Sequence, residues 1–182
     1  MHVRRKNIRL HGYDYSYPGI YFVTICTANR ERLFGTIHAG RMCLNDSGKI
    51  VSGTWKKLPQ RFPCVALDAF VVMPNHVHGI VLLHRRRSNT QTGAASSAPT
   101  QPAALGDILR TFKSESAIRV NAILKRTARP IWQRNYFEYI IRSTSSLDKI
   151  RLYIRDNPSH WDSDPDNTGI RRSSFDEFPW FS

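Results

Sequence analysis

Acidic residues are scarce in this chain: 14 Asp and Glu stand against 27 Lys and Arg in 182 residues, a formal net charge of +13. So large a deficit argues for a polyanionic partner. Long hydrophobic runs are missing too; none reaches the roughly 20 residues that a membrane-spanning helix needs. The opening residues, MHVRRK, have no apolar core behind them of the kind a secretory signal carries. The expected location is therefore cytoplasmic, in association with the nucleoid, with no membrane partner. Cysteine is limited to Cys26, Cys43 and Cys64, odd in number and in no CxxC arrangement. That excludes a disulfide framework or a zinc knuckle and leaves packing roles. Internal repeats are absent, and the length fits one core rather than two.

Charges and rings alternate at the start of the chain. Arg4, Arg5, Lys6 and Arg9 interleave with Tyr13 and Tyr15, so residues 1–18 read as a basic aromatic arm able to meet phosphates and stack unpaired bases. The run IYFVTICT from Ile20 is rich in β-branched and aromatic residues and predicts a central strand. A short hairpin is expected over 33–37 and 41–44, then a helix whose apolar positions are Ile50, Val51, Trp55 and Leu58. Two further apolar runs, 69–73 and 80–83, flank Pro74-Asn75 and read as strands. Between them lie His76 and His78. Residues two apart on an extended backbone share a face, so the imidazoles form a candidate pair of metal ligands.

A Ser/Thr/Gln/Ala/Pro-rich stretch after Arg87 predicts a flexible insertion over about 85–103. Leu105 opens an amphipathic helix bearing Arg110 and Lys113 on polar faces. Residues 136–142 predict a short helix capped by Asn135, and a final helix carries Leu147, Ile150, Tyr153 and Ile154 inward before Pro158. The segment 159–182 reads as a loosely packed tail. The organisation is thus an arm (1–18), one catalytic domain (19–158) and a tail.

Cutting a phosphodiester without water requires a nucleophile, a divalent cation to polarise the phosphate, and surfaces that hold the strand. Tyr136 is the candidate nucleophile, giving a 5′-phosphotyrosine and a free 3′-hydroxyl. Because that linkage conserves the bond energy, the cut can be reversed or redirected without ATP.

The motifs PNHVHG (74–79) and WQRNYFE (132–138), with Ile141-Arg142, resemble the single-tyrosine HUH transposases of the insertion-sequence 200-like kind, and within these most closely the REP-associated tyrosine transposases. The similarity extends through 12–15, 21–27, 33–35 and 153–161, most of residues 4 to 161. It implies an α+β, ferredoxin-like antiparallel sheet with helices on one face, the HUH endonuclease fold. It also implies Mg²⁺ or Mn²⁺ held by His76, His78 and a third ligand, with Tyr136 cleaving single-stranded DNA near a hairpin. Relatives commonly carry a histidine where this chain has Tyr139, so Glu138 or water is expected to complete the shell. Arg4, Arg5, Lys6, Arg9, Tyr13, Tyr15, Arg110, Lys113 and Arg134 are the expected DNA contacts. The resulting expectation is a monomeric or homodimeric tyrosine transposase acting as endonuclease and ligase on hairpin or palindromic repeats. The alternatives are a non-cleaving hairpin-binding relative or an RNA-binding ferredoxin-like domain.

Overall fold

In the computed structural model, which describes residues 17–84, 103–127 and 129–168, the run GIYFVTIC forms the central strand β1 (Gly19–Cys26). Two short strands follow, β2 (Gly35–His38) and β3 (Arg41–Leu44), paired with each other in a separate hairpin. Gly35 is required there: its φ is +138°, and a Cβ would lie 2.1 Å from the Cys43 carbonyl oxygen. The chain then runs through helix α1 (Asp46–Lys56), the single turn α2 (Leu58–Arg61) and strands β4 (Val65–Val72) and β5 (His76–Leu83). Helix α3 (Leu105–Ile123), strand β6 (Phe137–Ile141) and helix α4 (Thr144–Asp156) come next. A 3₁₀ segment (Asn157–Ser163) and the short α5 (Pro165–Thr168) end the described residues.

The main sheet has the order β4-β5-β1-β6, with every neighbouring pair antiparallel. With the β2/β3 hairpin set aside, β1-α1-β4-β5-α3-β6 is the ferredoxin-like βαββαβ succession that the motifs implied. Side-chain caps open two of the helices. The Asn45 side chain accepts a hydrogen bond from the Gly48 N–H at the head of α1, and Ser143 accepts from the Ser146 N–H at the head of α4. Such caps satisfy donors that a helix cannot pair internally.

Strand alternation divides the interior into two cores. Tyr21, Val23 and Ile25 of β1 join Val77 and Val81 of β5 against Val51 and Trp55 of α1 and Ile108, Leu109 and Phe112 of α3. Trp55 stacks on Phe70 with centroids 4.6 Å apart and meets the edge of Phe112. Gly79 makes room for it, since a Cβ there would sit 2.5 Å from the indole. The intervening residues Phe22, Ile80 and Ile141 form the second core with Ile150 and Ile154. The helices of the ferredoxin-like unit thus share one face, as expected, while α4 covers the other.

Two local expectations are corrected. The segment expected as a short helix at 136–142 is strand β6, pairing Phe137 to Ile141 with β1. A five-residue segment in which four side chains are aromatic or β-branched fits a pleated edge better than an isolated helical turn, and it satisfies the otherwise open hydrogen-bonding edge of β1. The beginning of the supposedly loose tail is also packed. Trp161 is buried, Arg32 lies over its ring at 5.6 Å, and the Asn167 side-chain amide donates to its carbonyl. The expected arm and insertion fall almost wholly outside the described residues. No helix among the described residues is long and apolar enough to cross a membrane.

Candidate metal centre

β5 sets the site through its pleat. Val77 points into the larger core, so His76 and His78 project from the opposite face, with ring centroids 4.5 Å apart. Both are fully or almost fully buried. Asp164 joins them from beyond the 3₁₀ segment, its carboxylate 3.9 Å from His76 Nε2. These three offer ligand atoms that all lie within 4.8 Å of one another.

The chemistry of the donor set fits a divalent cation. Burial pushes the His76 imidazolium down to about 3, with the positive charge of Arg30 adding to the effect and the neighbouring Asn157 amide opposing it. Burial likewise holds His78 well below its ordinary value, helped by the charge His76 would carry. Both rings are therefore neutral, the form that ligates metals. His76 Nε2 is buried and makes no hydrogen bond, an arrangement costly to leave unless another partner is intended. Asn157 Oδ1, at the end of α4, is likewise buried without one.

Around these ligands lies a second layer. Thr24 Oγ1 is 2.8 Å from His78 Nδ1, and Asn75 Oδ1 is 2.8 Å from His76 Nδ1. Asp166 pairs with Arg30, accepts from the Cys26 thiol at 3.7 Å and stands 3.8 Å from His76 Nδ1. Aromatic rings close the remaining side. Phe22 stacks on His78 at 5.5 Å, and the Tyr153 ring meets His78 at 5.1 Å, its hydroxyl 3.4 Å from Nε2.

The expected site residues separate in space. His76 and His78 come together as anticipated. Glu138 does not join them: on β6 it lies opposite Val23 of β1, so its side chain projects towards the α1/α3 face, and Asp164 stands by the histidines instead. Tyr136, just ahead of β6, packs against the larger core on that same α1/α3 face. Tyr139, opposite Phe22, shares the face of the histidines because β6 alternates as a strand rather than turning as a helix. Lys113 donates to the Gln133 and Arg134 carbonyls at 2.7 and 2.8 Å, tying α3 to the lead-in of β6, and partial burial lowers its pKa. Arg110 is exposed and pairs with Asp107 of its own helix, and Arg134 is exposed. Arg4, Arg5, Lys6, Arg9, Tyr13 and Tyr15 lie outside the described residues. Sequence reasoning missed Thr24, Asn157 and Asp164 as neighbours of the histidines. It placed Tyr153 inward on its helix without linking it to them.

No family model matches the chain. Among solved structures it matches that of a REP-associated tyrosine transposase bound to a REP hairpin, with a TM-score of 0.54 and 17% identity over 95% of this chain and 96% of that one. A candidate transposase from Deinococcus radiodurans R1 superposes less well, with a TM-score of 0.47 and 17% identity over 86% of this chain and 97% of that one, too distant to add weight. The fold is thus the α+β fold of the tyrosine transposase. An uncharacterized protein of Haemophilus influenzae is 39% identical over 168 residues, 88% of this chain and 91% of its own length. The chain belongs to the same family as that protein.

Proposed function

We propose that this chain nicks and rejoins single-stranded DNA beside a hairpin, with Tyr153 as nucleophile and a divalent cation held by His76, His78 and Asp164. The observation that carries this reading is the Tyr153 hydroxyl, 3.4 Å from Nε2 of a neutral, buried histidine in a three-residue ligand cluster. Asn157, one helical turn beyond Tyr153 and with its oxygen unengaged, supplies a further hard donor. When bound, Mg²⁺ or Mn²⁺ polarises a non-bridging phosphate oxygen and aligns the phosphodiester. The Tyr153 oxygen attacks phosphorus and gives its phenolic proton to water, while the P–O3′ bond breaks and the leaving 3′ oxygen takes a proton from water. The products are a 5′-phosphotyrosine and a 3′-hydroxyl. Attack by that or another 3′-hydroxyl then re-forms the diester and releases Tyr153, so the chain acts as endonuclease and ligase in turn.

Tyr153 takes this role in place of Tyr136 because the sheet separates Tyr136 from the ligands, whereas α4 lays Tyr153 against them. The excess of 13 positive charges suits a DNA strand. Hairpin DNA is the substrate class by extension from the transposase of like fold, whose structure holds a REP hairpin. The test is incubation of labelled hairpin single-stranded DNA with MnCl₂ or MgCl₂, followed by denaturing electrophoresis. A protein–DNA adduct is expected, lost in Tyr153→Phe and kept in Tyr136→Phe. Binding without adduct under either metal supports the non-cleaving alternative and overturns this mechanism; an adduct that survives in Tyr153→Phe moves the nucleophile elsewhere.

A further inference from the structure

Asn75 is placed to decide which nitrogen of His76 faces the ligand cluster. Its amide is buried, and its Nδ2 donates to two backbone carbonyls from different segments, Asp166 at 2.8 Å and Arg30 at 3.3 Å. Rotating the amide by half a turn would set Oδ1 against both carbonyl oxygens, replacing two donor–acceptor contacts with two acceptor–acceptor ones. Hydrogen-bond chemistry therefore fixes its orientation, with Oδ1 towards His76 Nδ1 at 2.8 Å. An amide oxygen only accepts, so Nδ1 must carry the proton. A neutral imidazole holds one proton, and Nε2 is then left with a lone pair directed at Asp164 and the cluster.

We infer that Asn75 is the positioning residue that locks His76 in its Nδ1–H tautomer and so prepares Nε2 to ligate a divalent cation. This rests on the metal reading of the site, but the tautomer itself is a property of the metal-free chain. Thr24 stands in the same relation to His78, yet a hydroxyl both donates and accepts, so its 2.8 Å contact does not select a tautomer. The asymmetry singles out Asn75. His76 Nε2, buried beside Asp164 and the Asn157 amide without a hydrogen bond of good geometry, is where such a lock leaves a lone pair. Partners of this kind on the far nitrogen of a ligand histidine typically change metal affinity ~10–100-fold when removed.

The experiment uses the full chain, metal-free, with ¹⁵N-labelled histidine. Long-range ¹H–¹⁵N spectra are recorded for the parent, Asn75→Leu and Asn75→Asp, and free Mn²⁺ is followed by electron paramagnetic resonance during titration with MnCl₂. The parent should show His76 protonated at Nδ1. Asn75→Asp keeps an acceptor and should keep that tautomer, whereas Asn75→Leu should lose it and bind Mn²⁺ ~10–100-fold more weakly. A parent spectrum with the proton on Nε2 overturns the inference without recourse to any variant. So does a folded Asn75→Leu that retains both tautomer and affinity. If the parent binds no Mn²⁺ while the spectra behave as expected, the metal reading fails and the tautomer lock stands.

Discussion

The two faces of the sheet carry different kinds of residue for one geometrical reason. On the α1/α3 face, Tyr21, Val23, Ile25, Val77 and Val81 meet Trp55, Ile108 and Phe112 in an extensive apolar core. On the α4 face the alternate positions of the same two central strands are Thr24, His76 and His78, with only a small apolar cluster beside them. β1 and β5 pair Thr24 with His78 and Cys26 with His76 in register, so the polar positions gather at one end. One face stabilises the fold, which leaves the other free to hold neutral imidazoles and a carboxylate out of water at some cost. Chemistry is thereby placed on the sheet without interrupting its main core.

The largest expected effect would break this division most directly. Tyr153→Phe should reduce adduct formation by about a thousandfold or more, as loss of an acting nucleophile does, and Tyr136→Phe should leave it within a few-fold. Quantified adduct on denaturing gels checks both. If instead Tyr136→Phe is the inactive variant, catalysis and core share a face and the contrast fails.

Next comes the apolar side. Trp55→Ala should cost about 3–5 kcal/mol of stability, because it empties a buried site between Phe70 and Phe112, and denaturant melts would register it. Asp164→Ala should weaken Mn²⁺ binding by about tenfold or more, while Glu138→Gln, on the other face, should leave it unchanged. Isothermal titration with MnCl₂ compares them.

The histidine pair also predicts a pH dependence for the metal-free chain. His76 is held at about 3 against an ordinary value of 6.5, so the unfolded chain binds more protons than the folded one between those limits. Stability must then fall as the pH drops through 6.5 towards 3, by up to about 1.4 kcal/mol per pH unit from His76 alone, with His78 acting in the same direction. Melts at a series of pH values, compared with His76→Phe, isolate the slope. The smallest effect belongs to the surface of α4: Arg151 pairs with Asp68 of β4 at 2.6 Å while exposed, so Arg151→Ala should leave thermal melts almost unchanged.

Much of the frame was legible in local pattern. The β-branched and aromatic content of residues 20–27 and the 3.6-residue spacing of Ile108, Phe112 and their neighbours each announce their element. His76 and His78 were legible as a pair because strand alternation is a local property. Residues 136–142 misled: seven residues with rings and isoleucines around Glu138 are too few for their period to tell helix from strand, and the open edge of β1 decided it. That decision moved Glu138 to the far face and Tyr139 to the near one.

By itself the sequence determined the strongly basic charge, the order of the main elements as far as α3 and the two histidines sharing a face. Only the tertiary structure decided what completes their site. Asp164 lies 86 residues after His78, counted along the chain, and Tyr153 lies 75 residues after it. No spacing rule links positions so far apart. They meet because α4 buries Ile150 and Ile154 against Phe22 and Ile80, and because the segment that follows packs Trp161 beside His76 and takes a hydrogen bond from Asn75 at the Asp166 carbonyl. Burial of apolar surface, which is blind to chemistry, thus brings the tyrosine and the carboxylate to the imidazoles.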